Sequence, residues 1–226
     1  MLYVYAITDA PDPPPRLGLH DAELRSIGGR RLFAVVSDHD GGPIETSEEN
    51  LWAHEEVVEG LLGEAAVLPL RFGSLVADED GVRAMLDERR AEFLTALGRV
   101  RGAVELGVRV ALAEAEHATV GAAAVRAGEG VGPGTAYMLG RLDRERRAAD
   151  AAARIHRPLA SLARESVRAN RSVRRSALAM SYLVDADRVN AFRARVDELS
   201  GELNGATVVC TGPWPPYSFS SPEPGR

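Results

Sequence analysis

"SALAMSYLVDADRVNAFRARVDELSGELNGATVVCTG", residues 176–212, reads as strand, helix and strand in immediate succession. Leu178, Met180, Tyr182 and Val184 alternate onto one face, the period of a half-buried strand. Val189, Phe192, Val196, Leu199 and Leu203 then follow at helical spacing, forming an apolar stripe, and Asn204-Gly205 supplies a stop. "ATVVCTG" (206–212) is short, apolar and β-branched, so it reads as a closing strand. Working outward, "ELGVRVAL" (105–112) alternates Leu106, Val108, Val110 and Leu112. Residues 114–134 are rich in Ala and Gly without pattern and read as a loop. A long helix is expected from about Thr135, interrupted near Pro158, whose ring removes a donor and clashes one turn back. Residues 166–184 read as a hairpin. The order is β-α-β-β-α-β, which is the ferredoxin-like order.

The first half is α+β of a less regular kind. "LYVYAI" (2–7) is a buried strand stopped by "DAPDPPP", and "RLFAVVS" (31–37) is a second strand entered through Gly28-Gly29. Thr46 and Glu49 have capping-box spacing, and Leu51, His54, Val58 and Leu61 give the following helix one face. "AAVLPLRFGSLV" (65–76) is extended, with Pro69 restricting it to an edge or a bulge. Asp78, Glu79 and Asp80 place negative charge at a helix start, and Val82, Met85, Leu86, Phe93 and Leu97 form that helix's stripe. A break near Gly102 divides the chain into two expected domains, 1–102 and 103–226.

Composition narrows the chemistry. The 226 residues carry a net charge of −6, spread unevenly. Residues 1–100 hold 19 acids against 9 Arg, and residues 101–226 hold 14 acids against 18 Arg, as two units with different surfaces would. Every basic residue other than the five histidines is Arg. With no Lys, a P-loop, a Schiff base and a Lys general base are excluded. Cys210 is the one cysteine, so no internal disulfide and no Cys-pair zinc site can form. The N-terminus lacks a basic region and its apolar run is short, which predicts no signal peptide. No stretch approaches the ~18 apolar residues of a membrane span. The expectation is a cytoplasmic protein.

Each candidate motif fails on its spacing. "HEEVV" (54–58) begins like a zinc-protease helix but has Val58 where the second His belongs, and His54 falls in line with Leu51, Val58 and Leu61 as a core histidine would. "GEGVGPGTAYMLG" (128–140) has Pro133 at the last glycine position of a dinucleotide loop. Ser74 in "RFGSLV" lacks the nucleophile elbow. Glu55, Glu56 and Glu59 read as a solvated helix face. Residues 143–175 hold ten Arg against four acids, but these charges interleave and the expected sheet offers one aromatic, Tyr182, where RNA binding needs several. The expectation is therefore no enzyme, no metal, no cofactor and no nucleic acid.

"LYVYAI", "VLPLRFGSLV", "ELGVRV", "GPGTAYMLGRL", "ALAMSYLVD" and "GPWPPYSF" occur in that order and together resemble the gas vesicle protein F/L family over nearly the whole chain. "LPLRFG" and "GPWPPYSF" are the most specific pieces; residues 9–22 and 114–131 depart most. The resemblance implies two α+β domains, the second a modified ferredoxin fold. It further implies a non-enzymatic gas vesicle component or assembly factor that contacts the principal shell protein, and that has other accessory proteins among its candidate partners. Its place would be the gas vesicle, or the cytoplasm during assembly. The other class of reading is a regulatory module that binds a small ligand on the ferredoxin-like domain.

Two stretches carry the candidate interaction or inter-domain residues. In "GPWPPYSFS" (212–220), Pro215-Pro216 forces an extended course, leaving Trp214, Tyr217 and Phe219 to clasp the other domain, to dock the shell protein, or to form a loose end. In "LPLRFG" (68–73), Leu70 and Phe72 lie on one face while Arg71 points elsewhere, toward an inter-domain ion pair or a partner's carboxylate.

Overall fold

The structure, a computed structural model, describes residues 1–63, 65–112, 133–168, 176–203 and 206–220. They divide into two compact units. One is Met1–Glu105 together with Gly212–Arg226; the other is Leu106–Thr211. The division thus falls inside two strands, between Glu105 and Leu106 and between Thr211 and Gly212, and not at Gly102.

In the first unit, β1 (Leu2–Thr8) lies in the middle of a five-stranded antiparallel sheet. β2 (Leu24–Gly29), β3 (Leu32–Asp38), β1 and β4 (Val67–Pro69) run in that spatial order, and β5 (Leu75–Val76) also pairs with β1. Every residue of β1 is buried, which is why its sequence is a continuous apolar run. Pro69 ends the edge strand β4, where its missing N–H leaves no ladder bond unmade.

β2 has no counterpart in the sequence reading. Gly29 pairs with Leu32, so the β2–β3 hairpin turns on Arg30 and Arg31 alone, both at positive φ (53° and 64°). Two-residue turns of this hand favour Asn-Gly, so Arg-Arg carries no turn signal and hides the hairpin. Gly28-Gly29 therefore ends β2; it does not lead into β3. Gly28 has φ +146°, and a Cβ there would sit 2.2 Å from the Leu32 carbonyl oxygen, so the hairpin requires a glycine.

α1 (Glu48–Gly60) is capped by Ser47, whose Oγ accepts from the Asn50 N–H at 3.2 Å; Thr46 lies one residue too early. Its buried face is His54, Val57 and Val58, and Leu51 is exposed. α2 (Glu79–Glu88) starts at Asp78, whose carboxylate accepts from Gly81 N–H at 2.9 Å. The expected single stripe is cut at Arg89, where α3 (Arg90–Val100) begins, yet Val82, Leu86, Phe93 and Leu97 are all buried.

In the second unit the described elements follow as β6 (Ala103–Leu112), α4 (Pro133–Ala160), β7 (Glu165–Arg168), β8 (Ser176–Asp185), α5 (Val189–Glu202) and β9 (Ala206–Trp214). The strands run β7-β8-β6-β9 across the sheet. α4 is not interrupted: Pro158 lies in its last turn, where one lost bond leaves little helix to disrupt. Leu106, Val108, Val110, Ile155, Leu159, Tyr182, Phe192 and Val196 form the core between sheet and helices. Of the expected loop at 114–134, residues 114–132 lie outside the described residues and Pro133-Gly134 already belong to α4; the Asn204-Gly205 stop and the tip of the 166–184 hairpin also lie outside them.

Candidate interaction site

β1 alternates Tyr3 and Tyr5 onto the face that receives α1, with ring centroids 4.7 Å apart. Both rings meet His54, Tyr5 stacked at 5.6 Å and Tyr3 edge-on at 5.7 Å. The imidazole is 1% exposed, and its hydrogen bonds fix its proton. Nε2 lies 3.2 Å from the Leu70 carbonyl oxygen, which can only accept, so Nε2 carries the hydrogen. Nδ1 then accepts from the Tyr3 hydroxyl at 2.8 Å, and that hydroxyl accepts in turn from Gly73 N–H at 3.1 Å. Burial opposes a second proton and lowers the His54 pKa to about 4.

The same Nε2 lies 3.2 Å from the Tyr217 hydroxyl oxygen. Tyr217 opens a single 3-10 turn, Tyr217–Phe219, that packs on β4. Its hydroxyl also bonds the Glu55 carboxylate. Burial raises the Glu55 pKa, an effect the Tyr217 bond opposes, and burial also pushes the Tyr217 hydroxyl up. Glu55 is thus a half-buried partner of Tyr217, and only Glu56 and Glu59 of the three acids face solvent. The Glu105 carboxylate accepts from both Ser218 N–H (2.8 Å) and Ser218 Oγ–H (2.7 Å). The Arg99 guanidinium donates to the Phe219 carbonyl, and the Phe219 ring is 2% exposed.

The structure therefore gathers Leu70, Phe72 and Tyr217 around His54. Leu70 contributes its backbone, with its N–H on the Tyr5 carbonyl and its own carbonyl on His54. Phe72 meets Tyr3 at 6.2 Å and His54 at 5.9 Å, both edge-on. Phe219 is seated close by in the same unit. Pro215 and Pro216 are buried, but Trp214 is 45% exposed on the end of β9, so the tail's aromatics do not act alike. Arg71 is exposed too. Among the described residues its guanidinium is paired with no carboxylate. Tyr3, Glu55, Arg99, Glu105 and Ser218 were missed by the sequence reading. Only Tyr3 had a signal, a polar-tipped ring in an otherwise apolar strand, because buried tyrosine hydroxyls need partners.

The family model described as "Gas vesicle synthesis protein GvpL/GvpF" matches residues 1–221. The chain belongs to the GvpL/GvpF family. Gas vesicle protein L of a Streptomyces species is 32% identical over 256 residues, covering 96% of this chain and 92% of that protein. Gas vesicle protein F1 of Halobacterium salinarum is 28% identical over 223 residues, with the same coverage. The crystal structure of the gas vesicle protein GvpF from an Anabaena species superposes with a TM-score of 0.82 at 19% identity, covering 97% of this chain and 98% of that one. A GvpF crystal structure from Microcystis aeruginosa gives 0.77 at 17% identity. The two antiparallel sheets with their helices are thus a GvpL/GvpF fold, and the protein takes part in gas vesicle formation. No helix among the described residues is long and apolar enough to cross a membrane.

Proposed function

We propose that this GvpL/GvpF protein works by protein–protein contact as a minor component or assembly factor of the gas vesicle, binding the principal shell protein and catalysing nothing. The observation that carries this reading is the family match across residues 1–221, both units included. The structure supports it in one further respect. The described polar cluster around His54 is spent on holding the tail: its hydrogen bonds close among His54, Tyr3, Leu70, Tyr217 and Glu55, and the Tyr3 hydroxyl that His54 accepts from is buried with it, away from any substrate. Exposed Trp214 and Arg71 offer an apolar and a cationic contact of the kind enriched at interfaces. A shell subunit with apolar faces aggregates unless partners cover them. In the second unit, the spatial order β7-β8-β6-β9 supports a ferredoxin-like βαββαβ domain.

Co-expression with the principal shell protein, followed by pull-down, tests the reading. Wild type should retain soluble shell protein. Trp214→Ala should keep its melting temperature and lose shell protein, because that ring is exposed. Folded wild type that captures no shell protein would overturn direct contact.

A further inference from the structure

A cleft of about 320 Å³ opens beside the β2–β3 hairpin, in the first unit and built without the tail. Gly29 and Arg30 of the hairpin, Arg83, Leu86 and Asp87 of α2 and Arg90 of α3 line it. Three guanidiniums and one carboxylate line it, and with Glu79 paired to Arg83 the cleft keeps an excess of positive charge in a chain whose first hundred residues are strongly acidic. Most of their donors are uncommitted: a guanidinium has five N–H groups. Arg90 donates to the Arg30 carbonyl at 2.6 Å and Arg83 to Glu79 at 3.3 Å, while exposed Arg30 meets no carboxylate or carbonyl among the described residues.

Two residue choices in the hairpin lack a folding reason. Arg30 stands at positive φ, where Gly or Asn would sit with less strain, and strained residues of this kind gather at functional positions. Gly29 does not have positive φ, and a Cβ built there meets nothing within 4 Å, so neither conformation nor packing calls for a glycine. What Gly29 does is leave the cleft wall without a side chain, so that a ligand can approach it closely, while its own backbone pairs with Leu32 across the turn.

We infer that this cleft binds a small oxyanionic ligand, a phosphate ester or a polycarboxylate, held by the forks of Arg30, Arg83 and Arg90 in the space that Gly29 leaves without a side chain. Guanidinium forks match both kinds of oxyanion bidentately. The volume suits a small molecule and not a folded partner. The site lies on the first unit and not on the second, where the ferredoxin-like order places the alternative ligand module, and it needs no contact with the shell protein.

Titration calorimetry on the whole chain at low ionic strength, with pyrophosphate and with citrate, tests the inference against sodium chloride at matched ionic strength. Wild type should give saturable binding that chloride does not reproduce. Arg30→Gln/Arg83→Gln should weaken it at least tenfold, and Tyr217→Phe should leave it unchanged. Binding of pyrophosphate alone identifies a phosphate site, of citrate alone a carboxylate site, and of both a general oxyanion site. Gly29→Leu, which has room for its side chain, should weaken binding at least tenfold and decides the matter should the double variant misfold. Absence of saturable heat in wild type, or wild-type affinity in both cleft variants, would overturn the inference.

Discussion

A buried histidine that keeps one proton at neutral pH makes stability depend on acidity. The His54 pKa falls from 6.5 in the unfolded chain to about 4 in the folded one. Its contribution is complete above pH 6.5 and is lost as pH falls toward 4, because the unfolded chain takes up the proton first. The effect is on the order of 3 kcal/mol. Melting temperature should therefore fall between pH 6.5 and 4 more steeply in wild type than in His54→Gln, and equal slopes would remove His54 as the cause. Tyr217→Phe deletes the hydroxyl shared by His54 and Glu55 and should cost about 1 to 2 kcal/mol in urea unfolding. That His54 belongs to the core was legible from its place between Leu51 and Val58. Its partners were not, since Tyr217 lies 163 positions away and nothing in a sequence pairs a phenol with one particular imidazole.

Among the elements, long periodic segments were readable and short ones were not. The α5 stripe and the alternation of β6 and β8 stand because many residues repeat one period. The β2–β3 hairpin escaped because its turn is Arg-Arg, and the division of α2 from α3 escaped because the stripe continues through Arg89. Exchanging the turn for Asn-Gly should stabilise the first unit by about 1 kcal/mol, measurable as a higher urea midpoint at unchanged slope. Ser47→Ala should cost about 1 kcal/mol through the lost cap on Asn50 N–H, whereas Thr46→Ala should cost little, separating the two candidate caps by thermal melting. Pro69 narrowed β4 to an edge or a bulge, and the edge is what the sheet shows.

At the scale of the whole molecule, the first unit is discontinuous: its sheet comes from the first hundred residues and its clasp from residues 212–220. Deleting everything after Thr211 removes the buried Phe219 ring, worth about 2 kcal/mol by area, and the bonds to His54, Glu55, Arg99 and Glu105. Hydrogen exchange should then quicken at β1 amides while β8 amides keep their protection. Two-unit organisation was visible in the charge asymmetry, and the clasp on the other domain that the Pro-Pro course suggested is where the tail lies, but the residues it meets were not legible, because a Pro-Pro segment says how the chain runs and not which side chains receive it.

That discontinuity also sets an order of events on the ribosome. Domains tend to fold as they emerge, N-terminal parts first. Here the first unit emerges early but waits, its Glu105 and Glu55 without Ser218 and Tyr217, until the segment after Thr211 has been translated. The second unit, continuous from Leu106 to Thr211, is complete before the first one. A message cut short before codon 217 would yield a finished second unit joined to an unlatched first, so the clasp marks each copy that was translated through its tail.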